Sequence, residues 1–224
     1  MASVPSRQRT ALLAGATGLI GRALLPLLLR SHASVEVLVR RAVPGLNDDP
    51  KMNLRVVDFG NLREPLPAID DAFIALGTTI KVAGSQAAFR AIDFDAVIAT
   101  AGAARKAGAT RLAVVSALGA ARNSGVFYSR VKGEMEAAVA ALGFESVVIA
   151  RPSLLAGDRA ALGQPVRAGE VWAMRLFAPV MGLVPRTLRP IQAADVAAAL
   201  VEAVREAKPG VRILSSAQMQ RAGG

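Results

Sequence analysis

Gly15, Gly18 and Gly21, each three residues from the next, punctuate an almost uncharged stretch from Ala11 to Leu29, ALLAGATGLIGRALLPLLL. The pattern leaves few local structures open, because the apolar residues before the glycines suit a strand and those after them a helix. Leu12 to Ala14 reads as the strand and the segment from Leu19 as the helix, with a glycine turn between. Each glycine stands where a side chain would obstruct something different. Gly15 would allow the tight turn off the strand, Gly18 the approach of backbone to a diphosphate, and Gly21 the packing of the first helical turn near the sheet. Thr17, Gly18, Leu19 and Ile20 would then point free backbone N–H groups and the positive end of the helix dipole at the phosphates.

Two other readings compete for the same residues. A secretory signal or membrane span would also follow a basic start such as Arg7 and Arg9, but Arg22 and the glycines interrupt the apolar run. A P-loop would need a Lys-Ser/Thr pair that is missing here.

Composition narrows the chemistry. With no cysteine the chain has no disulfide, thiol nucleophile or thiolate metal site. The single histidine, His32, reads as an exposed helix-end residue with no metal role. The formal charge of +10 would attract polyanions, yet the arginines are scattered and aromatic residues make up only 4%. We therefore expect solvated surface charge and no nucleic-acid partner, with part of the excess serving a phosphorylated cofactor.

Short apolar strands alternate with helices along the chain. Further strands are expected at Val35 to Val39, Leu54 to Val57, Asp71 to Leu76, Arg111 to Val115, Ser146 to Ala150 and Val211 to Leu214. Helices are expected over Gln86 to Ala107, Tyr128 to Leu142, Glu170 to Met181 and Ala194 to Ala207. This alternation implies an α/β fold, a Rossmann-type doubly wound parallel sheet whose ligand lies outside the carboxyl ends of the strands. The 224 residues read as one domain, with a cofactor-binding core over 10–152, a small substrate-side region over 153–207 and flexible ends at 1–9 and 217–224.

Small polar residues cluster where the strands are expected to end. An NAD site usually has an acid at the end of the second strand; here Arg40 and Arg41 stand there, and Glu36 comes too early. Two guanidiniums suit a 2′-phosphate by charge and fork geometry, which favours NADP(H). Asp58 could accept from an adenine amino group beside the backbone of Phe59, or simply cap its own turn. Gly77, Thr78 and Thr79 would let backbone pass the cofactor's ribose and diphosphate, though turn chemistry alone also explains them. Tyr128 and Lys132, four apart, share one helix face, and Ser116 ends a strand twelve residues earlier. A free phenol titrates at about 10, and an adjacent ammonium stabilises its anion, so the set suits acid–base chemistry accompanying hydride transfer.

GATGLIG, Ser116 and Tyr128-Ser129-Arg130-Val131-Lys132 together resemble the short-chain dehydrogenase/reductase superfamily. LGTT at Leu76 to Thr79, AFRAID at Ala88 to Asp93, VKGEME at Val131 to Glu136 and RPSLLAGDR at Arg151 to Arg159 extend the likeness. With them the chain is similar to an atypical, epimerase/dehydratase-like branch, the Tat-interacting-protein oxidoreductases, over roughly residues 10 to 200. The resemblance implies Tyr128 as acid/base and Lys132 as holder of the nicotinamide ribose and support of the phenolate. It further implies Ser116 as orienter of substrate and Pro152 as lining of the nicotinamide pocket. One departure stands out: many classical members carry an Asn on the helix before the fifth strand, and Gln86 to Ala107 contains none.

The expected function is an NADP(H)-dependent oxidoreductase acting on a small carbonyl or alcohol. The alternatives are an NADP(H)-binding regulatory protein without turnover, or a sugar-nucleotide epimerase or dehydratase. Trp172, Met174, Leu176, Phe177 and Met181 form an apolar stripe that suits a substrate pocket, a core or a subunit contact. Neither a membrane span nor an export signal is expected, which points to the cytoplasm; the oligomeric state is open, a homodimer through sheet-flanking helices being one option.

Overall fold

The computed structural model describes residues 9–43, 49–62, 64–156 and 189–220. The expected helix over Glu170 to Met181 and its apolar stripe lie outside the described residues.

The strands are β1 (Thr10–Ala14), β2 (Ser34–Val39), β3 (Met52–Val56), β4 (Asp71–Ile74), β5 (Arg111–Val115), β6 (Ser146–Arg151), β7 (Leu155–Ala156), β8 (Ile191–Gln192) and β9 (Gly210–Ser215). The helices are α1 (Leu19–Ser31), α2 (Ile80–Ala83), α3 (Gln86–Arg90), α4 (Ala96–Lys106), α5 (Phe127–Ala140), α6 (Ala193–Arg205) and α7 (Ser216–Met219), with a π-helical turn Ala91–Asp95 between α3 and α4. Seven strands form one sheet in the order β3-β2-β1-β4-β5-β6-β9, every pair parallel. β7 and β8 pair separately.

Alternation along the strands divides the core in two, since successive side chains leave opposite faces of a sheet. Leu13, Val35, Val37, Phe73 and Val148 pack beneath Leu24 and Leu28 of α1 and Leu200 of α6. Leu12, Leu38, Ile74, Leu112 and Ile149 pack beneath Val97 and Ala101 of α4 and Met135 of α5. Truncating a fully buried Leu or Phe in either layer costs about 2–5 kcal/mol. Pro26, inside α1, is tolerated because it and Arg22, whose carbonyl loses a partner, both face solvent.

Strand order reverses between β1 and β4, the neighbours of opposite connection, and this is where a doubly wound sheet opens a crevice. The amino ends of the strands are closed by charge. Asp71 is 1% exposed and receives Arg9, Arg111 Nε at 2.7 Å and His32 Nε2 at 3.0 Å. His32 therefore corrects the expectation of an exposed helix-end residue: it is buried, with its ring set edge-on to Phe73. Its usefulness as a partner for the buried carboxylate outweighed its place at a helix end.

Candidate active site

The glycine turn leaves β1 as expected and is more tightly determined than its spacing alone implies. Gly15 has φ +93°, and a Cβ there would sit 2.5 Å from the Ala75 carbonyl oxygen. A Cβ on Gly21 would lie 2.0 Å from the Gly15 carbonyl oxygen, so the first turn of α1 packs on the turn itself. Gly18 differs: a Cβ there would meet only Gly15 O, at 3.5 Å, an ordinary contact. The described residues thus do not demand glycine at 18. Gly18 is also the N-cap of α1, with no side-chain cap and no acid in the first turn, which suits an anion. Thr17 is exposed beside it, Leu19 is half-buried, and Ile20 is a core side chain, leaving its backbone to face a ligand.

Arg40 and Arg41 follow β2 directly, both exposed. Glu36 is 4% exposed and taken up by β3: Asn53 Nδ2 donates to it at 2.8 Å and Arg55 Nε at 2.7 Å. It is a structural carboxylate. Asp58 Oδ1 accepts from Gly60 N at 2.9 Å, so the carboxylate caps its own turn. Phe59 is 7% exposed, buried against Leu12 and Ala72.

The turn after β4 and the helix α5 meet over one carboxylate. Thr79 caps α2 by accepting from Val82 N, and Thr78 N donates to Asp93 Oδ2 at 2.8 Å. Asp93, on the π-helical turn, is fully buried, and its Oδ1 is 2.7 Å from Lys132 Nζ. A Cβ on Gly77 would lie 3.8 Å from the same ammonium. Lys132 is 3% exposed, while Tyr128, four residues earlier on α5, is half-buried with its ring 5.2 Å from that of Phe89. Ser116, at the end of β5, is 4% exposed and its hydroxyl has no hydrogen-bond partner among the described residues. A buried hydroxyl left unpaired costs about 1–3 kcal/mol, which a bound oxygen would recover.

α5 is seated by contacts that sequence reasoning missed. A Cβ on Gly133 would lie 2.3 Å from the carbonyl carbon of Ala121, so the 117–126 loop crosses the helix directly over this glycine. Arg151 makes a two-pronged bond to Glu136, from Nε at 2.9 Å and Nη2 at 2.5 Å, joining α5 to the end of β6 just before the buried Pro152. The Glu136 carboxylate holds the Arg151 pKa above its ordinary value by hydrogen bonding. Asp93 was also missed, although an acid within the buried row of Phe89 and Val97 was the signal that could have found it.

Residues 15–207 match the model of the NAD(P)H-binding family. The chain belongs to that family. Among its relatives, the protein FMP52, mitochondrial, of Eremothecium gossypii is 35% identical over 225 residues, spanning 93% of this chain and 95% of its own. The protein HTATIP2 of Rattus norvegicus is 34% identical over 177 residues, spanning 76% of this chain and 71% of its own. The solved structure of MoeE5 in complex with UDP-glucose and NAD superimposes with a TM-score of 0.69 at 19% identity, over 92% of this chain and 75% of that one. UDP-glucose 4-epimerase from Thermotoga maritima gives 0.68 at 13% identity, over 92% and 76%. At such identities the shared property is the Rossmann-type fold. The relatives also correct the expected cytoplasmic location, since those from Emericella nidulans, Eremothecium gossypii and Coccidioides immitis are named mitochondrial. No described helix is long and apolar enough to cross a membrane.

Proposed function

We propose that this family member is an NADP(H)-dependent oxidoreductase acting on a small carbonyl or alcohol, with Tyr128 as acid/base. The observation that carries the reading is the placement of Lys132. A lysine on a solvated helix face has no reason to lose its hydration, yet this ammonium is buried against the Gly77 turn, one helical turn from Tyr128. The Ser116 hydroxyl, unpaired among the described residues, stands at the end of the neighbouring strand.

In this reading the Gly15 to Gly21 turn and the start of α1 hold the diphosphate, and Asp58 with the Phe59 backbone borders the adenine. Gly77, Thr78 and Thr79 flank the ribose, and Pro152 lines the nicotinamide pocket. The bound nicotinamide supplies or accepts the hydride. Ser116 holds the substrate oxygen. Tyr128 gives that oxygen a proton on reduction and takes one back on oxidation, while Lys132 supports the phenolate. Arg40 and Arg41 favour a 2′-phosphate, because both are exposed and the acid nearest to them on β2, Glu36, is already bonded to Asn53 and Arg55.

Calorimetric titration with NADPH and NADH tests the cofactor half. NADPH is expected to bind at least about tenfold more tightly, a difference of roughly 1.4 kcal/mol, and Arg40→Ala with Arg41→Ala should erase the preference. Equal or tighter binding of NADH would overturn it. For the catalytic half, Tyr128→Phe should bind NADPH as the parent does and lose reduction of small carbonyls by about a hundredfold or more. Full activity in that variant would remove Tyr128 from the chemistry.

A further inference from the structure

A carboxylate among apolar side chains is expensive unless both its oxygens are engaged. Asp93 is fully buried between Phe89 and Val97, themselves fully buried, and each of its oxygens serves a different part of the site. Oδ2 accepts from the backbone of Thr78, in the turn after β4; Oδ1 meets the ammonium of Lys132, on α5. The helix carrying it departs from α geometry at this point, in the π-helical turn Ala91–Asp95. Such turns are rare and frequently lie at functional sites.

We propose that Asp93 is the positioning residue of this site, fixing Lys132, locking the Gly77–Thr79 turn to α5, and tempering by its charge the ammonium's pull on the Tyr128 phenol. The proposal rests on the acid/base reading of Tyr128 and Lys132 given above. Among the described residues, the cations three positions from Asp93 and two from Tyr128 have partners of their own. Arg90 of α3 pairs with Glu134, and Arg130 of α5 donates to the Ser124 carbonyl at 2.9 Å. The Phe89 ring brings no charge. On this assignment the Asp93–Lys132 pair, one helical turn from Tyr128, is the charge balance that acts on the phenol.

Tyr128 is the only tyrosine in the chain, so phenolate absorbance in the near ultraviolet reports it alone, with no substrate or cofactor present. Asp93→Asn retains an acceptor for Thr78 N and removes the charge. Its phenolate midpoint is expected about one pH unit below that of the parent. An unmoved midpoint, or one moved upward, overturns the proposal. Asp93→Glu keeps the charge and should keep the midpoint near the parental one; displacement as large as that of Asp93→Asn also overturns it. If Asp93→Asn fails to fold while Asp93→Glu folds, the carboxylate belongs to the core rather than to the site, and the proposal falls. NADPH binding by the parent, measured alongside, judges the oxidoreductase reading separately, because the titration does not depend on it.

Discussion

At the amino ends of the strands Asp71 is surrounded by partners, and at the carboxyl ends Ser116 has none among the described residues. Both groups are buried and both lie on the central sheet, so burial does not distinguish them. What differs is closure. Arg9, His32 and Arg111 converge on Asp71, and Asp70 beside it accepts from Thr10 N at 2.9 Å. At the other end α1 starts without a capping side chain, and the Ser116 hydroxyl has no hydrogen-bond partner among the described residues. Polar groups that close on one another stabilise a fold; polar groups held open at the mouth of a crevice suit a ligand. Asp93 and Lys132 belong to both kinds, since their pair is closed while lying inside the open end.

The largest effect is expected at the closed end. Asp71→Asn leaves the Arg9 and Arg111 guanidiniums without their carboxylate and should cost about 3–5 kcal/mol in urea unfolding, with NADPH affinity of the remaining folded protein unchanged. A stable Asp71→Asn variant that loses nucleotide binding would reverse the assignment of the two ends.

The glycine turn tests the open end from within. Gly21→Ala drives a methyl into the Gly15 carbonyl and should lower stability by about 1–3 kcal/mol. Gly18→Ala meets only an ordinary contact, so unfolding should change by less than about 0.5 kcal/mol while NADPH affinity falls roughly tenfold. Equal destabilisation by the two substitutions would show that Gly18 is scaffold as well.

The smallest effect lies on the rim, at Glu206. Hydrogen bonds from Arg212 and Lys208 hold its exposed carboxyl below the usual carboxylate range. A group depressed in the folded state contributes fully above its unfolded value and ceases to contribute as pH falls through the folded one. Glu206→Gln should therefore melt slightly lower than the parent near neutral pH and become indistinguishable from it in strong acid. Salt should narrow the difference at neutral pH, as expected for an exposed pair.

Much of this was legible in the chain. Local patterns placed the fifth strand at its observed bounds, started α1 at Leu19 and put Ser116 and Pro152 directly after strands, because a run of apolar residues and the turn that stops it are neighbours in sequence, whereas the fourth strand ends at Ile74, two residues before its expected end. The continuous helix expected over Gln86 to Ala107 was only partly right, since a π-helical turn, Ala91–Asp95, interrupts it and carries the Asp93 that pairs with Lys132. The small β7–β8 pair, α2 and α7 were not expected. Each is too short to show a period, and α2 depends on a single Thr79 cap.

By itself, then, the sequence determined the parallel α/β architecture, the glycine turn and the one-face pairing of Tyr128 with Lys132, all of which follow from spacing along a single element. Only the tertiary structure decided which charges are spent and which are available. Glu36 is bonded to Asn53 and Arg55, His32 to Asp71, and Lys132 to Asp93, each partner coming from a separate element of the fold. Such pairings depend on distances through space, and residue 93 can meet residue 132 only after the sheet has brought β4 beside β5 and set α5 across its end.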